Sequence, residues 1–150
     1  MDTGDIISME SIDILDDDNI ETLHDKLSIL GKDLLEKTLP LICDGKNNRV
    51  KQDDSKATYT RMIAREDELL NFDDDVKTVY NKIRAFSPWP LSYFCVDGME
   101  CKIISATYEY DNSKPKEILI SKDSFKIGTR NGYISILRIK PFGVKIALIS

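Results

Sequence analysis

The sequence predicts an α+β protein in two parts, a helical first part and a small barrel of antiparallel strands. Three observations support this fold class. Apolar residues recur at helical spacing over residues 20–42, the spacing changes to alternation after residue 90, and residues 46–57 between these regions are polar and rich in turn formers. A chain of 150 residues is long enough for one ordinary domain or two small ones.

The first part is predicted to contain an extended segment and two helices. Residues 5–14 have the apolar content of one strand or two short ones, and the acidic residues 16–18 can cap the helix that follows. We expect Gly31 to break the first helix and Pro40 to kink or shorten the second. Because a strand and two helices are too few to enclose a core, residues 1–44 are predicted to be the end of an α/β domain rather than a whole one.

The second part is predicted to be a helix followed by five strands. The aspartates at 73–75 are suited to cap this helix, and the apolar stripe that begins at Val76 gives its buried face. Strong turn signals stand at Asp97-Gly98 and Asn131-Gly132. The strands are expected at residues 91–96, 99–110, 117–121, 124–129 and 132–139. Antiparallel strands of these lengths suit a small barrel, with OB-like closure as the leading expectation.

The charge is divided unevenly along the chain. Residues 1–75 hold 9 Lys/Arg and 20 Asp/Glu, a net charge of −11, whereas residues 76–150 hold 12 and 6, a net charge of +6. A basic second half favours a polyanion partner such as nucleic acid, and the alternative is an ordinary solvated surface. The sequence shows no secretory signal pattern and no apolar run of the roughly 18 residues that span a bilayer, so we expect a cytoplasmic protein without membrane contact.

Residues with catalytic or metal-binding chemistry are sparse. Cys43, Cys95 and Cys101 form no CxxC pair, and we expect them to be small buried apolar residues. A two-residue turn at 97–98 would point Cys95 and Cys101 to opposite faces of a hairpin, which argues against a disulfide between them. His24 is the only histidine and has no second histidine or cysteine nearby, so no zinc or other metal site is predicted. Walker, Rossmann and nucleophile-elbow motifs are absent from the sequence.

Five collinear segments carry a resemblance to a known family. MDTGDI at 1–6 resembles the aspartate motif that ends the catalytic domain of folate-dependent formyltransferases, and residues 22–46 are similar to the helix pair that follows it. QDDSKATYTRMIAREDELLNF at 52–72 resembles the interdomain signature of that group. IRAFSPWPLSYF at 83–94 and GYISILRIKPFGVK at 132–145 resemble the segments that open and close the C-terminal domain, although Lys140 and Val144 depart from the latter. The chain is identified as a member of the methionyl-tRNA formyltransferase family, truncated at both ends.

This resemblance implies a domain organisation and a reaction. Residues 1–45 would be the remnant of a Rossmann-like α/β formyltransferase domain, residues 46–72 an interdomain linker, and residues 73–150 a C-terminal OB-like β-barrel. The implied reaction transfers formyl from 10-formyltetrahydrofolate to the amino group of methionyl-initiator-tRNA. Asp2 matches the family's catalytic aspartate, which orients and charges a histidine that, with an asparagine, stabilises the developing oxyanion.

The catalytic asparagine and histidine of the family lie before the aspartate, and this chain contains neither. His24 follows Asp2 on a helix, so it cannot serve as the family's histidine. Most of the folate pocket is missing as well. We therefore expect the chain to be inactive alone and to need a separate N-terminal formyltransferase fragment. The alternatives are a non-catalytic tRNA-binding module and the remnant of a split gene.

The resemblance also implies contacts with tRNA phosphates, made by basic residues of the linker and of the barrel. The candidates are Lys46, Arg49, Lys51, Arg84, Lys102, Lys126, Arg130, Lys140 and Lys145. Each of them is alternatively a solvated surface charge. Trp89 and its flanking prolines are expected to serve interdomain packing, with base stacking as the alternative.

Overall fold

The computed structural model describes residues 3–141 and 147–148 of the chain. It divides into two compact units, the first formed by Met1–Asp18 with Thr22–Met62 and the second by Asn19–Glu21 with Ile63–Ser150. The described elements are helices and antiparallel strands, and the α+β class predicted from the sequence is confirmed.

The first unit is built on one long helix, α1, which runs from Ile20 to Cys43. The prediction of two helices separated by Gly31 is wrong. A glycine in a helix interior costs only about 1 kcal/mol relative to alanine, which a long amphipathic helix tolerates. Pro40 also lies inside α1, but only three residues before its end, where few hydrogen bonds remain to be lost.

The segment before α1 is extended but forms almost no sheet. Ile6 makes an isolated antiparallel bridge to Val50, with both N···O distances at 2.9 Å, and the Gln52 side-chain amide donates to the Gly4 carbonyl at 2.6 Å. The strand predicted over residues 5–14 is therefore wrong apart from Ile6. A strand needs a neighbour for its backbone groups, and the described residues offer this segment only the single bridge at Val50.

The second unit is a curled antiparallel sheet with one helix, α2, at Val76–Ala85. Its strands are β1 at Tyr93–Val96, β2 at Met99–Tyr110, β3 at Ile118–Ser121, β4 at Ser124–Gly128, β5 at Gly132–Pro141 and β6 at Ala147–Leu148. They pair in the order β1-β2-β5-β4-β3, and β6 pairs with β5. The five predicted strands are confirmed with bounds that differ by at most two residues, whereas β6 was not predicted.

The core lies between α2 and the sheet. Val76, Val79 and Ile83 project from α2 with at most 2% of their surface exposed, and they pack in one cluster with the fully buried Ile103 and Ile134 of the sheet. This packing follows from the i, i+3, i+7 stripe of α2 and the alternation of the strands.

The sheet curls without closing among the described strands. The edge strands β1 and β3 both line one apolar groove of about 450 Å³, with Phe72, Phe94 and Ile127 among its walls. No pairing joins β1 to β3 in the part of the chain that the structure describes. The observed arrangement is a half-barrel, which is coarser than the OB-like closure that the sequence led us to expect.

The β1–β2 hairpin has the predicted register. Its turn is Asp97-Gly98, and both residues have positive φ, as a two-residue hairpin of this kind requires. Cys95 pairs with Glu100 and Cys101 with Phe94, so the two thiols point to opposite faces, and all three cysteines are free. Their predicted burial is wrong for Cys43 and Cys95, which are exposed because the first ends a helix with no buried residue and the second lies on the outer face.

A candidate nucleic-acid interface

The candidate catalytic residue lies beyond what the structure describes. Asp2 is outside the described residues, as is Lys145 of the candidate tRNA contacts. His24 lies on α1 with 75% of its side chain exposed, and its Nδ1 is 3.4 Å from Asp25 Oδ1. His24 is thus an exposed side chain on a helix, the element on which the sequence places it.

The described residues include a cysteine with a shifted pKa but no candidate metal site. Burial raises the pKa of the Cys101 thiol above its usual value, which makes it a poor nucleophile at neutral pH. No group of three His, Cys, Asp or Glu side chains within residues 3–141 could hold a metal ion. None of the described helices is both long and apolar enough to cross a membrane.

The three linker candidates are exposed side chains of the first unit. Lys46, Arg49 and Lys51 follow α1 within six residues of one another. Lys46 Nζ lies 3.0 Å from Asp44 Oδ2 in a pair whose side chains are more than half exposed. An exposed pair of this kind contributes little to stability and leaves the cation accessible.

Two of the barrel candidates are brought together by the sheet. Lys102 of β2 and Lys140 of β5 are direct cross-strand partners and therefore lie side by side on one face. Their neighbours Ile103 and Ile139 are also partners and are buried, which places both lysines on the outer face. Lys102 Nζ donates to the Pro90 carbonyl at 3.1 Å and lies 3.9 Å from Glu68.

The other barrel candidates are distributed over the second unit. Arg84 lies in the last turn of α2 and donates to Asn81 Oδ1 at 2.9 Å, whereas Arg130 lies near the first turn, 3.8 Å from Asp75 Oδ2. Lys126 of β4 is paired with Glu109 of β2 at 2.5 Å. The basic residues proposed from the sequence as tRNA contacts therefore lie at separate surface positions. Among the described strands, Lys102 and Lys140 are the one pair of cations that face each other across neighbouring strands.

One arginine that the sequence analysis passed over extends this pair. Arg65 lies 4.0 Å from the centroid of the Tyr93 ring and hydrogen-bonds to Glu68 and Glu100. Tyr93 is the β1 partner of Lys102, so Arg65, Tyr93 and Lys102 follow one another toward Lys140 across the outer face. The Arg65 guanidinium is already paired with two carboxylates, which makes it a positioning group for Glu68 rather than a free cation.

A second feature missed from the sequence combines aromatic rings with cations. Tyr80 of α2 packs on Tyr108 of β2 with ring centroids 4.7 Å apart, and Tyr110 meets Tyr108 edge to face at 5.8 Å. We call these three residues the α2–β2 tyrosine cluster. Lys77 lies 4.6 Å from the Tyr108 centroid, and Arg84 lies 6.0 Å from that of Tyr80. The spacing of Lys77, Tyr80 and Arg84, beside the buried stripe of α2, was the available signal.

Comparison with known proteins identifies the class of this fold. Residues 62–150 match the family described as formyl transferase, C-terminal domain, and the chain belongs to that family. The match contains α2, the half-barrel and the Lys102–Lys140 pair. Among curated relatives, the methionyl-tRNA formyltransferase of Staphylococcus aureus strain MW2 is 48% identical over 106 residues, which cover 71% of this chain and 34% of that protein. The chain thus spans about a third of the length of the relatives it matches.

Solved structures of proteins from two other organisms have the same fold. HypX from Aquifex aeolicus in complex with tetrahydrofolic acid aligns with a TM-score of 0.66 and 21% identity, over 97% of this chain and 26% of that one. An N-formyltransferase from Helicobacter canadensis in complex with folinic acid and dTDP-3-aminofucose aligns with a TM-score of 0.70 and 22% identity, over 91% and 51%. At these identities the likeness shows the fold alone, and folate derivatives are ligands of those neighbours.

Proposed function

We propose that this chain is the C-terminal portion of a methionyl-tRNA formyltransferase, which transfers formyl from 10-formyltetrahydrofolate to methionyl-initiator-tRNA in the cytoplasm. The observation that carries the proposal is the 48% identity to the Staphylococcus aureus enzyme, well above the level at which only a fold is shared. In this proposal Asp2 is one catalytic group, and the asparagine, the histidine and most of the folate pocket belong to the part of the enzyme that this chain does not span.

The proposal assigns residues 1–45 to the end of the Rossmann-like catalytic domain, residues 46–72 to the linker, and residues 73–150 to an OB-like barrel. The state of α1 supports the first assignment. None of its 24 residues is buried, although Leu23, Leu27, Leu30 and Leu34 form an apolar stripe at helical spacing. A helix with such a stripe requires a surface to cover, and the rest of the catalytic domain would supply it.

The proposal also assigns tRNA binding to the outer face of the half-barrel. Like charges placed directly opposite each other in a sheet are destabilising, so the Lys102–Lys140 pair carries a cost in the free chain. Glu68, 3.9 Å from Lys102, offsets part of it. A bound phosphate would remove the repulsion, and the release of condensed counterions would favour binding.

A chimera tests the enzymatic proposal. The chain is fused behind the part of the Staphylococcus aureus relative that precedes its own aspartate motif, so that Asp2 supplies the only copy of that aspartate, and formylation of methionyl-tRNA is measured. We expect activity from the chimera, none from either part alone, and a large loss in Asp2→Asn but not in the matched control Asp5→Asn. A folded chimera without activity, beside an active relative, would contradict the proposal. An inactive chimera whose barrel still binds tRNA in a salt-dependent manner would favour the binding-module alternative.

A further inference from the structure

We propose that the α2–β2 tyrosine cluster is a stacking site for an unpaired nucleotide, whose base lies on the ring of Tyr110. The proposal deepens the proposed function, since it takes RNA as the partner, but it assigns a different contact from the phosphate contacts of the lysines. It also concerns a different group of residues, none of which pairs with Lys102 or Lys140 across the sheet.

Tyr110 makes a ring contact with Tyr108 and is otherwise largely exposed. Its ring meets Tyr108 edge to face, with an interplanar angle of 87°, while Tyr108 itself packs on Tyr80. Tyr80 and Tyr108 are half-buried and belong to the rim of the core, whereas 64% of Tyr110 is exposed. The core therefore fixes the orientation of Tyr110 without covering it, which is the arrangement a stacking platform requires.

The sheet leaves the surroundings of Tyr110 open on both sides of its strand. Its cross-strand partner on β5 is Gly132, which has no side chain to cover the ring. On the other side, β1 pairs with β2 only over Met99–Lys102, so the described β1 does not reach Tyr110. Gly132 cannot be replaced by a covering residue, because a Cβ there would lie 2.1 Å from the Glu109 carbonyl oxygen.

Two cations contact the inner rings of the α2–β2 tyrosine cluster. Lys77 Nζ hydrogen-bonds to the Tyr108 hydroxyl at 3.0 Å, and Arg84 lies over Tyr80. Alternation along β2 turns Glu109 to the opposite face, where it pairs with Lys126. Stacked aromatic rings bordered by Lys and Arg are the usual means by which proteins bind single-stranded RNA, because every base has a face to stack and every nucleotide carries a phosphate.

The test compares single-stranded with double-stranded RNA. Binding of the whole chain to a fluorescent oligoadenylate and to an RNA duplex of equal length is measured at low salt. We expect Tyr110→Ala to weaken oligoadenylate binding by about fivefold or more, the effect of losing one base–aromatic stack, and to leave duplex binding unchanged. Tyr110→Phe, which keeps the ring, should bind like the parent chain.

Tyr59→Ala is the matched control, since Tyr59 is 94% exposed and lies outside the cluster. Equal weakening of both RNAs by Tyr110→Ala, no weakening of either, or failure of the parent chain to bind oligoadenylate would overturn the stacking proposal. These outcomes are independent of the formylation assay, so an active chimera with an unaffected Tyr110→Ala variant rejects stacking alone. A chain that stacks oligoadenylate but gives a folded, inactive chimera rejects the enzymatic proposal alone.

Discussion

The side chain of Asn131 caps a helix that begins 55 residues earlier in the chain, because its Oδ1 accepts a hydrogen bond from the backbone nitrogen of Val76 at 2.8 Å. The first turn of α2 also has its local cap, Asp75, which accepts from Thr78 N at 3.0 Å. Two oxygens from distant parts of the sequence thus satisfy amides that a helix start leaves unpaired. This hydrogen bond connects the β4–β5 turn to α2. It therefore helps to hold β5 in the register that places Gly132 opposite Tyr110.

Replacement of Asn131 tests this link. We expect Asn131→Ala to lower the free energy of unfolding of the second unit by about 1 kcal/mol, as the loss of a helix cap does. Urea denaturation followed by circular dichroism measures the change. Asn112→Ala, in the exposed β2–β3 turn, is the control and should have little effect. Equal stabilities for the two variants would show that the bond to Val76 contributes nothing.

The two glycines Gly31 and Gly132 should respond to alanine in opposite directions. A Cβ at Gly31 meets nothing within 4 Å, so Gly31→Ala should raise the helicity of α1 and stabilise it by up to about 1 kcal/mol. A Cβ at Gly132 would lie 2.1 Å from the Glu109 carbonyl oxygen and 3.1 Å from Val76 Cγ1, so Gly132→Ala must displace backbone and should be strongly destabilising. Thermal unfolding of both variants checks the signs, and a neutral Gly132→Ala would contradict the packing described.

The outcome for Gly31 illustrates what the sequence could and could not predict. The half-barrel strands, the α2 stripe and the 97–98 turn were predictable, because alternation, periodicity and turn chemistry are local signals. The prediction placed a helix end at Gly31, but α1 continues through it because the apolar stripe extends on both sides. Residues 5–14 failed as a strand for a different reason, since strand formation depends on a neighbour that local pattern cannot reveal. The same limit applies to Arg65 and Tyr110, whose partners lie on other elements.

The start of α1 should be sensitive to acid through Asp18. Hydrogen bonds from Lys26, at 2.6 Å, and from the Leu15 amide lower the pKa of the Asp18 carboxyl from 3.8 to about 2. A lowered folded-state pKa means that the carboxylate stabilises the segment above about pH 4 and that this contribution is lost as the pH falls toward 2. The helical circular dichroism signal of the parent chain should fall over this window. Asp18→Asn should remove that part of the pH dependence, whereas the exposed Asp17→Asn should retain it.

The Lys102–Lys140 pair should determine part of the salt dependence of tRNA binding. Each lysine that neutralises a phosphate contributes about 0.9 to the slope of log K against log salt concentration on a duplex. Lys102→Gln and Lys140→Gln should therefore each reduce the slope by about this amount, measured by filter binding over a series of salt concentrations. Lys122→Gln, in the β3–β4 turn, is the control. An unchanged slope in the double variant would remove this face from the proposed interface.

The final prediction concerns α1, whose 24 residues include none that is buried. The isolated chain should show little protection from hydrogen exchange over Ile20–Cys43, because helical propensity alone gives marginal stability and most helix stability comes from packing of the apolar face. In the chimera with the N-terminal portion of the relative, the amides of Leu27, Leu30 and Leu34 should become strongly protected. Leu27→Glu should abolish this gain, while Ser28→Glu should leave it intact, since the exposed Ser28 lies on the side of α1 away from the leucine stripe. Full protection in the isolated chain would mean that α1 needs no further surface to cover it, and the assignment of residues 1–45 to a larger catalytic domain would lose its structural support.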